Sequence, residues 1–435
     1  MYTESSPSTP VHVPRIRIER ITHSQSSLIC RFNFAPELER CFSSSVLYFN
    51  YDFPIEGIPE SVLSIPILGV LVPVAWVTGA RTMANEADTN YVACLQKVAA
   101  VMQRIYPTVR IVNDLECTKV DTPWSSGADR TCLLYSGGVD STVSLLRNLG
   151  PNISLMSVRG TPDMRLWEDE FWVRAERGLA LLPQSLGVER HVVETNALDV
   201  VNFGELNRRL KGKFDSGWWE NIAHGLLLIS LCSPYTYVEG INKMMIASSY
   251  SRDNAHPWGS TPDSDQNIAW GGLTTIYDSF DMPRAQKVRE ILVPFMVAHP
   301  GLVRLRVCTG RRSERLSSGT LNCGRCEKCV RTEMLLMWAG VDPVSCGFPT
   351  PNFAEMKEGL ISGRYVSQTP FSLLAIQKSK ARPNGELISR YPAMKYFFDW
   401  FYGWKVPEGP KRRSLFKRIA PVGSRRKRMI DAVRT

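Results

Sequence analysis

The stretch that decides the reading is Leu133–Thr142, LLYSGGVDST. Thr131–Tyr135 reads as a short buried strand and Ser141–Leu149 as a helix, so the two glycines occupy a strand-to-helix turn. A helix N-terminus leaves backbone N–H groups unpaired, and its dipole favours negative charge there. Glycines let the chain turn sharply and bring those amides close to an anion. The hydroxyls of Ser136 and Ser141 can donate to the same oxygens, with Gly137, Gly138 and Val139 supplying backbone between them. Asp140 cannot bind phosphate directly, because like charges repel; it is placed to cap the helix or to hold a Mg²⁺ that bridges phosphates. The loop has neither the lysine of GxxxxGK[ST] nor the spacing of GxGxxG. The expectation is an anion site, a loop that grips phosphate.

On the C-terminal side of the loop, apolar strands at Ile153–Val158, His191–Thr195 and Lys243–Ser248 alternate with helical stretches at Phe171–Leu186 and Trp218–Cys232. That alternation predicts an α/β fold with a parallel sheet covered on both faces. On the N-terminal side the pattern differs. Residues 14–22, 27–34 and 46–53 alternate apolar and polar side chains like antiparallel strands, and Asn90–Tyr106 reads as an amphipathic helix. Thr122–Asp129, TPWSSGAD, is turn-rich. The predicted organisation is therefore an N-terminal α+β domain at 1–122, the loop-bearing domain at 123–305, a cysteine lobe at 306–348 and a C-terminal extension at 349–435. Ser61–Ala80 is uncharged over the length that a bilayer span needs, but Pro66 and Pro73 interrupt it. It reads as buried strand and helix pieces, with membrane contact as the alternative.

The 435 residues are 44% apolar and 22% charged, which excludes a disordered chain, a coiled coil and a polytopic membrane protein. Of the net charge of +10, the segment from Lys405 to Thr435 carries +9, so the body is almost neutral and the end is basic. The clusters Lys411–Arg413 and Arg425–Arg428 could meet nucleic acid or another anionic surface, or be a solvated tail. Eleven cysteines without a leading basic and apolar segment suit a reducing cytoplasm rather than a disulfide scaffold. Four of them stand apart. Cys323, Cys326 and Cys329 form C-x₂-C-x₂-C, and Cys308 lies fifteen residues upstream. Four thiolates at such spacing suit tetrahedral Zn²⁺ in a closed, structural site; an iron–sulfur cluster is the next reading.

The run Ser136-Gly137-Gly138-Val139-Asp140-Ser141 resembles the PP-loop, Ser-Gly-Gly-x-Asp-Ser, of the N-type ATP pyrophosphatase superfamily. Followed by Lys287-Val-Arg-Glu-Ile291 and the cysteine cluster running into Arg331-Thr332, it looks like the 7-cyano-7-deazaguanine synthase (QueC-like) family over about residues 130–345. The resemblance implies a Rossmann-like, HUP-type sheet and a structural zinc. It also implies a ligase that adenylates a carboxylate or amide with ATP and Mg²⁺, releases pyrophosphate, and forms a C–N bond or nitrile with ammonia as nitrogen donor. Carried over residue by residue, the loop would bind pyrophosphate and Mg²⁺. Asp140 and Lys287 become the candidates for the chemical step, although Lys287 also reads as a surface helix cation. Ser248 and Ser249 at a strand end, Asp263 in Thr261–Gln266 and His224 on the apolar helix are candidate substrate residues; His224 also reads as a core histidine. The chain departs from the family at Ala247–Tyr250 and Thr261–Gln266, nearest the base to be modified. The acceptor is therefore left as a small molecule or a protein terminus, and the oligomeric state is left open. Two other readings stand beside this one: a sulfur-transferring enzyme of the same superfamily acting on RNA, and a non-catalytic binding protein.

Overall fold

The computed structural model describes residues 12–124, 129–214, 216–310, 312–365, 371–380 and 384–407. The basic clusters at 411–413 and 425–428 lie outside these residues.

Ten strands run in chain order: β1 (Arg15–His23), β2 (Ser27–Phe34), β3 (Val46–Tyr51), β4 (Arg81–Asp88), β5 (Asp114–Val120), β6 (Thr131–Leu134), β7 (Ile153–Arg159), β8 (Arg190–Thr195), β9 (Lys243–Ala247) and β10 (Thr274–Asp278). They form one mixed, mostly parallel sheet in the order β10-β9-β6-β7-β8-β3-β2-β1-β4-β5. The five strands β10, β9, β6, β7 and β8 are mutually parallel. The α/β architecture expected from the alternation is present.

The antiparallel ladder expected at the N-terminus is also present, as β1-β2-β3. It is extended by β4 and β5, which pair in parallel with β1 and with each other and lack a clean alternation in sequence. The N-terminal strands do not form a separate sheet. β3 pairs antiparallel with β8, Phe49 opposite Thr195 and Tyr51 opposite Val193, so the turn-rich stretch after Thr122 divides a continuous sheet. At this seam Asp52 accepts from the backbone of Val192 at 3.0 Å and faces His191 Nδ1 at 3.1 Å.

Alternate residues of β6 enter two cores, as a strand covered on both faces requires. Cys132 and Leu134 join a core that includes Leu47, Ile65, Trp76 and Leu226. Leu133, with Tyr135 just past the strand's end, joins the other, which includes Cys308, Cys329 and the aromatic residues Phe397, Phe398 and Phe401.

The stretch Ser61–Ala80 does not break into pieces. It forms one helix, α1 (Glu60–Thr78), with Pro66 and Pro73 inside it. A proline leaves the carbonyl four residues back without its helical partner. For Pro66 that carbonyl is Val62 O, which instead accepts from Ser233 Oγ at 3.5 Å. The chain therefore tolerates the break because a neighbouring helix supplies a donor. α1 is long and apolar enough to cross a bilayer, yet nearly all of it is buried between the sheet and residues 218–238, the all-round apolar pattern of a core helix.

The long helix expected at Trp218–Cys232 is also not uniform. It starts as a wide π turn, Trp219–Ala223, and tightens to α at His224–Ser230. α2 (Thr89–Ile105), α3 (Val139–Arg147) and α4 (Asp169–Leu186) fall close to where the apolar spacing predicts them.

Candidate functional site

Strand order places the site. From β6 the chain steps through β7 to β8 on one side, then returns to β9 and β10 on the other. In an open parallel sheet such a switch opens a crevice beyond the carboxyl ends of the strands. The segments after β6, β7, β9 and β10 line one cavity of about 650 Å³ there, through Ser136, Thr161, Ser249 and Arg284.

The loop enters this cavity as its sequence requires. Gly137 has φ +68°, the left-handed region, and a Cβ there would sit 2.2 Å from Leu179 Cδ2 of α4. Only glycine fits both the turn and the packing. Gly138 is the N-cap of α3, in extended backbone and without a side-chain cap. Asp140 therefore does not cap the helix. Ser136 Oγ lies 3.3 Å from Ser141 Oγ, so the two hydroxyls converge at the helix start.

Asp140 is held by two cations. Arg284 pairs with it through both guanidinium Nε and Nη2, and Lys287 Nζ lies 3.3 Å from its Oδ1. Burial pushes the Asp140 carboxyl up, but Arg284 and Lys287 override it and hold the group at about 2. Both oxygens already face cations, so the carboxylate does not by itself offer a Mg²⁺ site. Mg²⁺ enters the reading only as the counter-ion of a nucleotide.

Lys287 is 1% exposed, so it is no surface cation. Its ammonium also donates to Ser248 O at 2.5 Å and does not line the cavity. It braces Asp140 from behind. Burial lowers its pKa, and Asp140 offsets part of that fall.

The sequence candidates separate accordingly. Ser136, Gly138, Val139, Asp140, Ser141, Ser249 and His224 come together on the cavity wall. Ser248 does not; it is fully buried, its hydroxyl donating to Tyr250 O. Asp263 does not either: it is exposed and pairs with Arg104 of α2 at 2.5 Å. Position within Thr261–Gln266 was a poor guide, because neighbouring side chains there face opposite ways: Ser264 and Asp265 are buried while Asp263 faces solvent.

His224 sits between Trp219 and Trp258, ring centroids 5.1 and 5.9 Å away. Burial pushes its pKa down to about 4, so the ring is neutral at pH 7, and its Nδ1 has no partner among the described residues.

Three further cations complete the wall, Arg306, Lys328 and Arg331, none of which the sequence marked as a site residue, although Arg331 lies in the run that follows the cysteines. Arg306 Nε donates to Ser136 O at 3.0 Å and its backbone N–H to Gly137 O at 2.8 Å, which fixes the loop. The available signal was adjacency to the cysteines. Arg306 stands two residues before Cys308, and Lys328 and Arg331 flank Cys329 on the helix Glu327–Trp338.

The four cysteines expected to bind metal do meet. The Sγ atoms of Cys308, Cys323, Cys326 and Cys329 all lie within 4.8 Å of one another, and Cys323 and Cys329 are 3.9 Å apart. Tetrahedral zinc with bonds of about 2.3 Å separates its sulfurs by about 3.8 Å. The backbone N–H groups of Gly310, Arg325 and Cys326 point at Cys308 or Cys323 sulfur at 3.3–3.4 Å, which favours thiolates. The cluster is compatible with a zinc-type metal, and its Cys326 is the N-cap of the helix that carries Lys328 and Arg331.

Fold and site thus define an α/β protein whose switch-point loop opens into a cavity lined by four cations and by the carboxylates of Asp140, Asp163 and Glu220, beside a four-cysteine centre. Compared with known protein families, curated proteins and solved structures, the chain finds no match.

Proposed function

We propose that the protein is an ATP-dependent carbon–nitrogen ligase of the PP-loop, QueC-like kind. The observation that carries this is the uncapped start of α3, with the Ser136 and Ser141 hydroxyls converging on it, inside a cavity lined by Arg284, Arg306, Lys328 and Arg331. Such a wall suits the phosphates of a nucleotide.

In the proposed reaction a carboxylate or amide oxygen of the acceptor bonds to the α-phosphorus of ATP. The bond from that phosphorus to the bridging oxygen of the β-phosphate breaks, and pyrophosphate departs with the electron pair. Ammonia then attacks the activated carbon, loses a proton to solvent, and AMP leaves, giving an amide; a second adenylation, on the amide oxygen, would let that oxygen depart with a second AMP and the nitrogen's protons pass to solvent, giving a nitrile. Loop amides and cations accept the charge that develops on the departing diphosphate, so rate comes from positioning and electrostatics. The acceptor fits at the end lined by Trp219, His224 and Trp258, a small molecule or a chain terminus. Zinc in the cysteine cluster supplies structure and takes no part in the reaction. Among the described residues lining the cavity none is a cysteine, which favours nitrogen over sulfur transfer.

The test is AMP release from α-labelled ATP with Mg²⁺, ammonium and fractionated cell extract. AMP formation should depend on one fraction and fall at least ~100-fold in Asp140→Ala and Ser141→Ala. AMP release that persists in both variants would remove the loop from the reaction. Colourless protein with one zinc and no iron or sulfide would speak against the sulfur-transfer reading.

A further inference from the structure

Arg331 has no work to do in the fold that accounts for its position. Its side chain is 12% exposed, and its only ion pair among the described residues is with Glu327, one turn back, at 3.2 Å. Its Nε is buried and finds no acceptor among the described residues. It lines the cavity, as does Arg284, and the two guanidinium groups are near enough to repel: after burial, Arg284 is the largest influence pushing Arg331 below the usual arginine range. Two like charges held together around open space, one with a buried donor unpaired, are stabilised by an anion between them.

The charge on the loop side points the same way. Arg284 and Lys287 are largely spent on Asp140, leaving one net positive charge among the three, to which Arg306 beside the loop adds a second. A departing diphosphate carries about three negative charges near pH 7, more than the loop can balance. Lys328, one turn before Arg331 and exposed on the same helix, adds a mobile cation to the wall. Arginine meets such an oxyanion with two parallel donors.

We propose that Arg331, assisted by Lys328, forms a second oxyanion subsite that holds the diphosphate from the helix Glu327–Trp338, beside the Ser136–Ser141 loop. This deepens the nucleotide reading above and rests on it for its role in turnover, but the subsite itself is defined for inorganic pyrophosphate. Because the helix that carries it is capped by Cys326, the clamp is positioned by the cysteine cluster.

The experiment is calorimetric titration of the full chain with inorganic pyrophosphate, with AMP and with ATP, in parallel for the wild type, Arg331→Gln, Arg331→Lys and Lys328→Gln. Thermal melting checks that each variant is folded. Arg331→Gln should weaken pyrophosphate at least 10-fold and leave AMP within 2-fold, and Arg331→Lys should recover part of the loss. Lys328→Gln, at an exposed position that tolerates change, should weaken pyrophosphate about 3-fold and steepen nothing else. Pyrophosphate binding by Arg331→Gln and Lys328→Gln within 2-fold of wild type overturns the subsite, as does a wild type that ignores pyrophosphate. The two readings fail separately. A wild type that binds pyrophosphate through Arg331 but neither binds nor cleaves ATP sinks the ligase and keeps the clamp. ATP turnover with unchanged pyrophosphate affinity in Arg331→Gln does the reverse.

Discussion

At the scale of single residues the site is a set of constraints on backbone and charge. Gly137 carries two of them, a positive φ and contact with Leu179. Gly137→Ala must pay about 1–2 kcal/mol for the left-handed conformation and also displace the Leu179 side chain. The expected result is a lower melting temperature together with loss of ATP binding; unchanged ATP affinity would show that the loop need not keep this turn. Asp140 is constrained by charge. Its folded pKa, about 2, lies below the usual 3.8, so the folded state holds this proton less tightly than the unfolded state. Its stabilisation, of about 2 kcal/mol, is therefore complete above pH 4 and is lost as pH falls towards 2. Urea unfolding between pH 2 and 5 should show this component in the wild type and not in Asp140→Asn. The variant should also be about 3–5 kcal/mol less stable at pH 7, because it leaves buried Lys287 with an uncompensated charge. Equal pH slopes for the two proteins would contradict the ion-pair account.

At the scale of elements, what was legible in the sequence is what is written in local pattern. The Ser136–Ser141 turn, the amphipathic α2 and the C-x₂-C-x₂-C spacing each declare themselves within a single short stretch of chain, 17 residues for α2. α1 did not, because two prolines forbid a helix locally and the compensating donor, Ser233, lies far along the chain. Nor did Arg284, Arg306 and Arg331, since an arginine in a cavity looks in sequence like an arginine on a surface. Asp263 shows the converse: a residue at a promising position that the fold turns towards Arg104. The helix Glu327–Trp338 joins both kinds of information. Its cysteines were readable and its cations were not, yet Cys326 at its N-cap fixes where Lys328 and Arg331 stand. Cys326→Ser, or strong chelation, should take zinc from one per chain to none. Structural zinc contributes on the order of 10 kcal/mol, so melting should fall steeply. Pyrophosphate affinity should fall with it, in conditions where far-ultraviolet circular dichroism still reports the sheet. A zinc-free protein with full stability and full affinity would show that the cluster does not organise the wall.

At the scale of the whole molecule, the N-terminal segment is part of the machine that holds the cavity open. Its strands continue the sheet through the β3–β8 pairing, and its side chains reach across to the helix that bears Trp219 and His224. Tyr91 Oη meets Ser230 Oγ at 2.7 Å, Tyr106 Oη donates to Asn221 Oδ1 at 2.8 Å, and the carbonyl of Pro73 accepts from Trp218 Nε1 at 3.1 Å. Gly69 of α1 lets that helix approach so closely that a Cβ would lie 2.6 Å from Ser230 Cβ. Without residues 1–122, β8 would become an open sheet edge and Trp218, Ile222 and Leu226 would lose the core they share with α1. Exposed edges and large apolar patches drive association. The fragment 123–435 should therefore be insoluble or aggregated, although it holds the loop and all four clustered cysteines, and the intact chain should unfold in one cooperative transition by both fluorescence and circular dichroism. A soluble, monomeric 123–435 with the pyrophosphate affinity of the full chain would show that the seam is an interface between independent domains; failure of that fragment, with rescue when 1–122 is co-expressed as a separate chain, would show that one core, built from both sides of the seam, sets the geometry of the site.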